Sequence, residues 1–530
     1  MKSIATFCLA GACLAGACLA GAAAIAATRS DAAEGFQVVE ASIAGIQQAL
    51  QGKSLTCHQL VQAYLDRIAA YDHNGPALGA ILTLNPGALA EADRRDADYA
   101  RSGPVGPLHC IPLVLKDNYG TADLPTTGGS AALAGAQPQA DAFVVARLRH
   151  AGAIILAKSN MHEFALSGTT VSSLGGQTRN PYDPTRTPGG SSGGTGAAVA
   201  ANLAVAGTGS DTVNSIRSPA SANALVGIRP TRGLVSRAGI MPVSETQDAV
   251  GPIARTVADA AQLFAVMAGY DPNDPSTAWS VGNTPASYAP SPDHEGLRGA
   301  RIGLFKTMLG SRPEHRQVNA VMADAVAAMQ RAGAVIVEVE EPALGAAKLN
   351  AENDVQKYEF KALIDAYLAT IPNAPARSLA DIIASGKFHK PSLEGVFTAA
   401  QAYQNGMEEP DYRVRLLRNA RTRDRLISLF AAHRLDAVVY PLQQRLVVPI
   451  GESNQADRNG ILAAVTGFPA ITVPAGFSQP TATAPLGVPI GMDLLGRPWS
   501  EWRLIQIAHG FEQATHVRKP PDSAPPLTTK

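Results

Sequence analysis

A layered α/β fold in one large domain is predicted by three observations. Helix-type and strand-type segments alternate along the chain. The strand-type segments are short apolar runs without polar interruption. Of 530 residues, 46% are hydrophobic and 17% charged, which is enough to bury a large core. Lys plus Arg number 44 and Asp plus Glu also 44. This balance recommends neither nucleic acid nor an acidic membrane surface as a partner.

Taken in order, residues 1–26 read as a targeting segment. Lys2 supplies a positive start, the units beginning at Cys8, Cys13 and Cys18 an apolar core, and Ala24-Ile25-Ala26 a small-x-small cleavage site. The segment is rich in Ala and Gly and only weakly hydrophobic, so it reads as a removed signal peptide and not as a membrane anchor. The expectation is an exported protein, periplasmic or secreted, whose domain is residues 27–530. Three of the five cysteines fall in this segment, leaving Cys57 and Cys110. Export permits a disulfide between them, spacing does not decide whether they meet, and Cys110 reads as a small buried filler. No His/Cys/Asp/Glu set has metal-ligand spacing, and no cofactor is implied.

Thr56 to Tyr71 has Leu60, Val61, Tyr64, Leu65 and Ile68 on one helical face. Gly87 to Arg101 is a charged-faced helix, and Ile111 to Leu115 a buried strand. Asp141 to His150 (helix) and Ala153 to Ala157 (strand) continue the alternation. Thr256 to Ala268 is a further helix, followed by a surface connection rich in Pro, Asp and Ser from Asp271 to Pro292. The strand Ile302 to Phe305 and helix Arg316 to Ala332 resume the rhythm. Residues 352–434 are charged and mainly helical, an excursion suited to wall a cleft. Strands Ala437 to Tyr440 and Ala470 to Pro474, the apolar run Gly487 to Leu495 and the helix Glu501 to Gln513 return to the core. From Pro520 the chain reads as a loose tail.

Thr187 to Ala220 carries the chemistry. A turn-rich loop, Pro188 to Gly194, leads into a small-residue helical run from Thr195 to Val205, and a second small-residue loop spans Gly207 to Ser215. Ser191 and Ser215 then stand at opposite ends of one short helical segment, so two hydroxyls on flanking loops can converge. Gly190 to Gly194 also fits the G-x-S-x-G elbow, which would make Ser192 the nucleophile. That motif needs a preceding strand, and Asn180 to Pro184 reads as turns. A phosphate loop would need a lysine before Thr195, and none is present.

With GGSSGG at Gly189 to Gly194, GSDTVNSIRSPA at Gly209 to Ala220 and a lysine closing an apolar strand before Asp117-Asn118, the chain resembles the amidase signature family. Further matches are Lys158 to Met161 with Glu163-Phe164, Gly251 to Arg255, and Phe468 to Gly476. The resemblance covers nearly the whole mature chain and looks most like exported bacterial peptide amidases. It implies a mixed sheet sandwiched between helices. It implies an amidohydrolase that cleaves a peptide, aryl or alkyl amide through a seryl acyl-enzyme. Ser215 would be the nucleophile, Ser191, following a cis peptide bond, the proton relay, and Lys116 the base. The oxyanion donors would be the N–H groups of Thr212, Val213, Asn214 and Ser215. Ser167 and Gly168 would line the substrate cleft, with Asp211 and Arg217 as structural braces.

Many family members have Gly-Gly where this chain has Val213-Asn214. Valine restricts the backbone to φ below zero or a strained state and would narrow the acyl side of the pocket. The resemblance implies no cofactor and no metal. It implies a small-molecule or peptide amide as partner, no nucleic acid, no stable membrane insertion, and a monomer or homodimer. Two alternatives stay open: the glutaminase subunit of a tRNA-dependent amidotransferase, and a non-catalytic binding protein of the same fold.

Overall fold

The apolar runs of the sequence become neighbours in one large mixed sheet. The structure, a computed structural model, describes residues 36–527, so the targeting segment lies outside the described residues. The strands are β1 (Ile81–Leu84), β2 (Pro112–Lys116), β3 (Ile154–Ser159), β4 (Val171–Ser172), β5 (Gly176–Gln177), β6 (Ala206–Asp211), β7 (Val226–Arg229), β8 (Ala249–Ala254), β9 (Arg301–Phe305), β10 (Val335–Val339), β11 (Ala437–Pro441), β12 (Ala470–Phe477) and β13 (Pro489–Leu495). Strands β4 and β5 form a separate ribbon; the other 11 form one sheet in the order β1-β3-β2-β6-β8-β7-β12-β13-β11-β9-β10. The runs β3-β2-β6 and β11-β9-β10 are parallel, and the remaining pairings are antiparallel. Helices sandwich this sheet, so the expected α/β class holds.

The helix Cys57–Tyr71 starts at a reciprocal cap between Thr56 and Gln59. It buries Leu60, Val61, Tyr64 and Ile68, as its periodicity predicts, while Leu65 is half-buried. Every residue of β2 is buried, including Lys116. The 352–434 segment is helical, with Gln356–Ala369, Leu379–Ser385, Lys390–Gln401 and Pro410–His433 as its helices. Its Phe360, Ile364, Leu393 and Phe397 share an apolar cluster with Met161, Phe164 and Met241. From Gln37 onward the chain forms one unit.

Four sequence expectations change. The stretch Ala206–Asp211 is a fully buried strand and not a loop. Apart from Thr208 it lacks the β-branched and aromatic residues that mark strands, and at its glycines the layer above leaves no room for them. A Cβ on Gly207 would stand 2.6 Å from Thr195 Cγ2 and 2.7 Å from the Val114 carbonyl oxygen. The small-residue helix, Gly193–Ala200, stops short of Val205. Just beyond its end the Arg67 guanidinium donates to the carbonyls of Ala201 (2.9 Å) and Asn202 (2.8 Å). That same guanidinium donates to Ala524 O (2.8 Å) and Pro525 O (2.9 Å), and Tyr182 Oη donates to Lys519 O (2.6 Å). The tail is therefore fastened, and Ala524 is buried.

Cys110 is not merely filler, since it is paired with Cys57 across a Cα–Cα distance of 5.3 Å, inside the range a disulfide requires. The bridge ties the start of helix Cys57–Tyr71 to the residues just ahead of β2. Closing a loop of 53 residues restricts the unfolded chain by about 4 kcal/mol in the chain-entropy account. Reduction, or the double change Cys57→Ala with Cys110→Ala, is expected to lower the denaturant midpoint clearly; superimposable unfolding curves with and without reductant would contradict the pairing.

Candidate active site

Lys116 ends β2, flanked by β3 on one side and β6 on the other, and its amine is fully buried. Nζ lies 2.7 Å from Ser191 Oγ, 2.8 Å from Ser210 Oγ and 3.4 Å from Ser210 O. Burial disfavours the ammonium and brings the amine down to about 7, against the opposing pull of Asp211 and Asp248. Near neutrality the amine is thus poised between its two states. A neutral amine keeps two donors and one lone pair, enough to donate to Ser210 and accept from Ser191.

Ser191 lies at the entrance to helix Gly193–Ala200, after a cis Gly190–Ser191 peptide bond. It is fully buried, and its carbonyl accepts the His162 N–H at 2.9 Å. Ser192, the elbow candidate, does not face this amine: its hydroxyl donates to Ser210 O at 3.3 Å. The Ser192 N–H donates to Ser215 O at 3.2 Å, which ties the two serine loops together. Ser215 is the most open of the three, at 6% exposure. Among the described residues its hydroxyl makes no hydrogen bond, so the Ser191-to-Ser215 link is not formed in this resting arrangement.

Among the described residues the N–H groups of Thr212, Val213, Asn214 and Ser215 have no acceptor. They form a run of free donors beside the Ser215 hydroxyl, the arrangement that stabilises a developing oxyanion. None of these residues has a positive φ, so Val213 fits without entering the region that disfavours it. Its side chain packs against the apolar cluster of Phe305, Ile461 and Leu462. Thr212 Oγ1 donates to Asp248 Oδ1 (2.6 Å), and Asn214 Oδ1 accepts the Gly460 N–H (2.9 Å).

Asp211 and Arg217 brace this loop. The Asp211 carboxylate takes the N–H groups of Ile216 (3.1 Å) and Arg217 (3.4 Å), the Arg217 guanidinium at 3.1 Å and that of Arg229 at 2.9 Å. Arg217 continues to Asp493 at 2.8 Å. Burial pushes the Asp211 carboxyl up, yet the two guanidinium groups override it and hold the group well below the usual carboxylate range.

Ser167 is half-buried, and Gly168 beside it is buried. Their loop supports the Ser191 turn, because Thr170 Oγ1 donates to Gly189 O (2.6 Å) and accepts the Gly193 N–H (3.2 Å). Two site members had no role in the sequence reading. Ser210 receives both Lys116 and the Asn118 amide (3.0 Å), although both serine and amide stand inside the matched motifs. Ser210, Asn118 and Thr212 also line a cavity of about 270 Å³ with Met241, Val243 and Leu363. Spacing along the chain hid two clusters of metal-ligand type among the described residues: Glu314 and His315 with Asp457, and His109 with Cys57 and Cys110, where the two thiols are engaged with each other. No helix among the described residues is long and apolar enough to cross a membrane.

A family model described as Amidase matches residues 59–505. The chain is 36% identical to the Arabidopsis thaliana protein named "Probable amidase", over 92% of each. It is 34% identical to a glutamyl-tRNA(Gln) amidotransferase subunit from Moorella thermoacetica, covering 90% of this chain and 97% of that one. Among solved structures, native peptide amidase from Stenotrophomonas maltophilia superposes with a TM-score of 0.80 at 40% identity, covering 91% of this chain and 98% of that one.

The buried lysine has a stability consequence with a definite sign. Its folded pKa, about 7, lies below the ordinary value of about 10.4. Between the two the unfolded chain binds more protons, so this group makes stability rise with pH by on the order of 1.4 kcal/mol per unit. Lys116→Met is expected to remove that rise, giving its largest relative gain below pH 7 and none above about 10.4. Denaturant midpoints of both proteins across this range check it; parallel profiles would show a lysine that is not desolvated.

Proposed function

The chain belongs to the amidase family and is a hydrolase of amide C–N bonds, and from that premise we propose a Lys116–Ser191–Ser215 mechanism. The observation that carries it is the fully buried Lys116 amine, held near neutrality and 2.7 Å from Ser191 Oγ. Neutral Lys116 accepts the Ser191 proton as Ser191 takes the Ser215 proton, and Ser215 Oγ forms a bond to the amide carbonyl carbon. The developing oxyanion meets the free N–H groups of residues 212–215. The proton returns from the lysine ammonium through Ser191 to the departing nitrogen, the C–N bond breaks, and an acyl ester remains on Ser215. Water then attacks this ester by the same relay, the acyl C–O bond breaks, and Ser215 recovers its proton.

The substrate we propose is a linear carboxylic amide of the peptide-amide type. Likeness to the Stenotrophomonas maltophilia peptide amidase supports it. The Cys57–Cys110 pairing and the signal-type start support an exported enzyme, since disulfides persist in oxidising compartments. Likeness to amidotransferase subunits favours the glutaminase reading as the second one, and the same pairing weighs against a cytosolic partner of tRNA. The helices of residues 352–434 wall the cleft in this proposal, with Leu363 lining the cavity beside Ser210.

A fluorophosphonate probe is expected to label Ser215, and Ser215→Ala to abolish both labelling and turnover. An adduct on Ser192 with Ser215 untouched would overturn the assignment.

The base assignment is tested by pH. Only the neutral amine accepts a proton, so kcat/KM should fall about tenfold per unit on the acid side of a pKa near 7 and level above it. Lys116→Ala should remove this limb and depress amide hydrolysis by several orders of magnitude, with ester hydrolysis falling less because an alkoxide needs less help in leaving. Amide turnover near wild type in Lys116→Ala, with the limb unchanged, would remove the lysine from the mechanism.

A further inference from the structure

Three fully buried arginines among the described residues each hold three or four acceptors. Arg217 holds two carboxylates and two carbonyls, Arg67 holds four carbonyls, and Arg255 holds three. Arg458 differs. It is half-buried, burial pushes its guanidinium down to about 10, and among the described residues that guanidinium makes no hydrogen bond or ion pair. Leaving a guanidinium partly desolvated and unpaired is costly, and its planar fork matches a carboxylate.

The surroundings place Arg458 over the serine centre. A Cβ on Gly168 would lie 2.2 Å from Arg458 Nη1, so the guanidinium rests directly on that glycine. Gly168 in turn backs Gly190, where a Cβ would lie 2.9 Å from the Gly168 carbonyl carbon, and Gly190 precedes Ser191. On the other side, the Gly460 N–H donates to Asn214 Oδ1 at 2.9 Å, and Gly460 O accepts from Arg217 at 3.0 Å. Arg458 therefore lies against the Ser167–Gly168 loop that backs the Ser191 turn, two residues ahead of the Gly460 contact with Asn214.

The neighbours of Arg458 are pinned while it is not. Asp457 is held by Arg312 and His315, and the Asn459 amide donates to Met308 O (2.8 Å) and Pro441 O (2.7 Å). The two nearby carboxylates are both engaged: Asp457 as above, and Asp211 by Arg217 and Arg229. His162, also close, is driven down to about 3 by burial, with His389, Arg458 and Lys116 adding to the effect, and so is neutral. The uncompensated charge at this mouth is positive.

We infer that Arg458 is a specificity residue that receives a carboxylate of the substrate, so that the preferred amides carry an acidic group close to the amide that is cleaved. This rests on the amidase site proposed above and adds a substrate class to it. Kinetics with the monoamides of malonic, succinic and glutaric acids, set against neutral alkyl amides of matched length, test it. In wild type at least one acidic amide should exceed its neutral counterpart in kcat/KM. Arg458→Met should lower the acidic amides about 30-fold more than the neutral ones, mainly through KM, and Arg458→Lys should recover part of that loss. Succinate binding measured calorimetrically gives a readout that needs no turnover: it should be present in wild type and lost in Arg458→Met. Equal losses on acidic and neutral amides, an acidic preference that survives in Arg458→Met, or unchanged succinate affinity would each overturn the inference. If Ser215 labelling persists in those cases, the amidase site stands and only the role of Arg458 falls; if labelling fails in wild type, the site reading itself falls.

Discussion

The amine of Lys116 can be dry and still meet two hydroxyls only because a helix lies almost directly on the strands beside it. Every residue of Gly193–Ala200 is buried, and Thr195 Oγ1 donates to Thr208 O at 3.0 Å while meeting Ser159 Oγ at 2.7 Å. A Cβ on Gly194 would come within 2.1 Å of the Asn160 carbonyl oxygen. This contact sets the height of Ser191 above β2 and thereby the distance from its hydroxyl to the amine. The absence of side chains is the structural requirement here. It explains why β6 is built from residues that form strands poorly by themselves.

A second, ionic constraint shapes the other half of the site. Asp211, Arg217, Arg229 and Asp493 are all fully buried. Isolated charges at that depth would be strongly unfavourable, and a paired cluster adds little net stability over apolar packing. Its consequence is geometric. By taking the N–H groups of Ile216 and Arg217, the Asp211 carboxylate turns the chain sharply after β6, leaving the four preceding amides without acceptors. The family's Gly-Gly is therefore not needed for this turn, and Val213 occupies it with its side chain directed to the apolar cluster.

The helical excursion is joined to the site by polar contacts as well as by the Phe164 cluster. His162 follows the strand that pairs with β2, its Nε2 lies 3.1 Å from Ser392 Oγ, and its Nδ1 lies 3.3 Å from Thr169 Oγ1. Glu163 Oε2 accepts the His389 N–H at 2.9 Å. The loop that carries Ser167 and Gly168 is thus clasped between the sheet and the excursion. Sequence differences in residues 352–434, whose Leu363 lines the cavity beside Ser210, can change that lining while the Lys116–Ser191 contact stays fixed, a physical reason why one fold can host different chemistries.

The sequence by itself determined the alternating α/β order, the buried face of Cys57–Tyr71, the dry strand under Lys116 and the ordered motifs that name the family. These features depend on local periodicity and on residue types that only one chemistry uses together. Tertiary structure decided the rest. Ala206–Asp211 became a strand because its neighbours press on it at Gly207 and Gly209, not because its own residues favour extension. The tail was fastened by Arg67, more than 450 positions earlier in the chain. Cys57 found Cys110, and Arg458 was left without a partner over the serine centre. Each of these outcomes depends on which distant groups arrive at one point in space, information carried by the packing of the whole chain and by no single stretch of it.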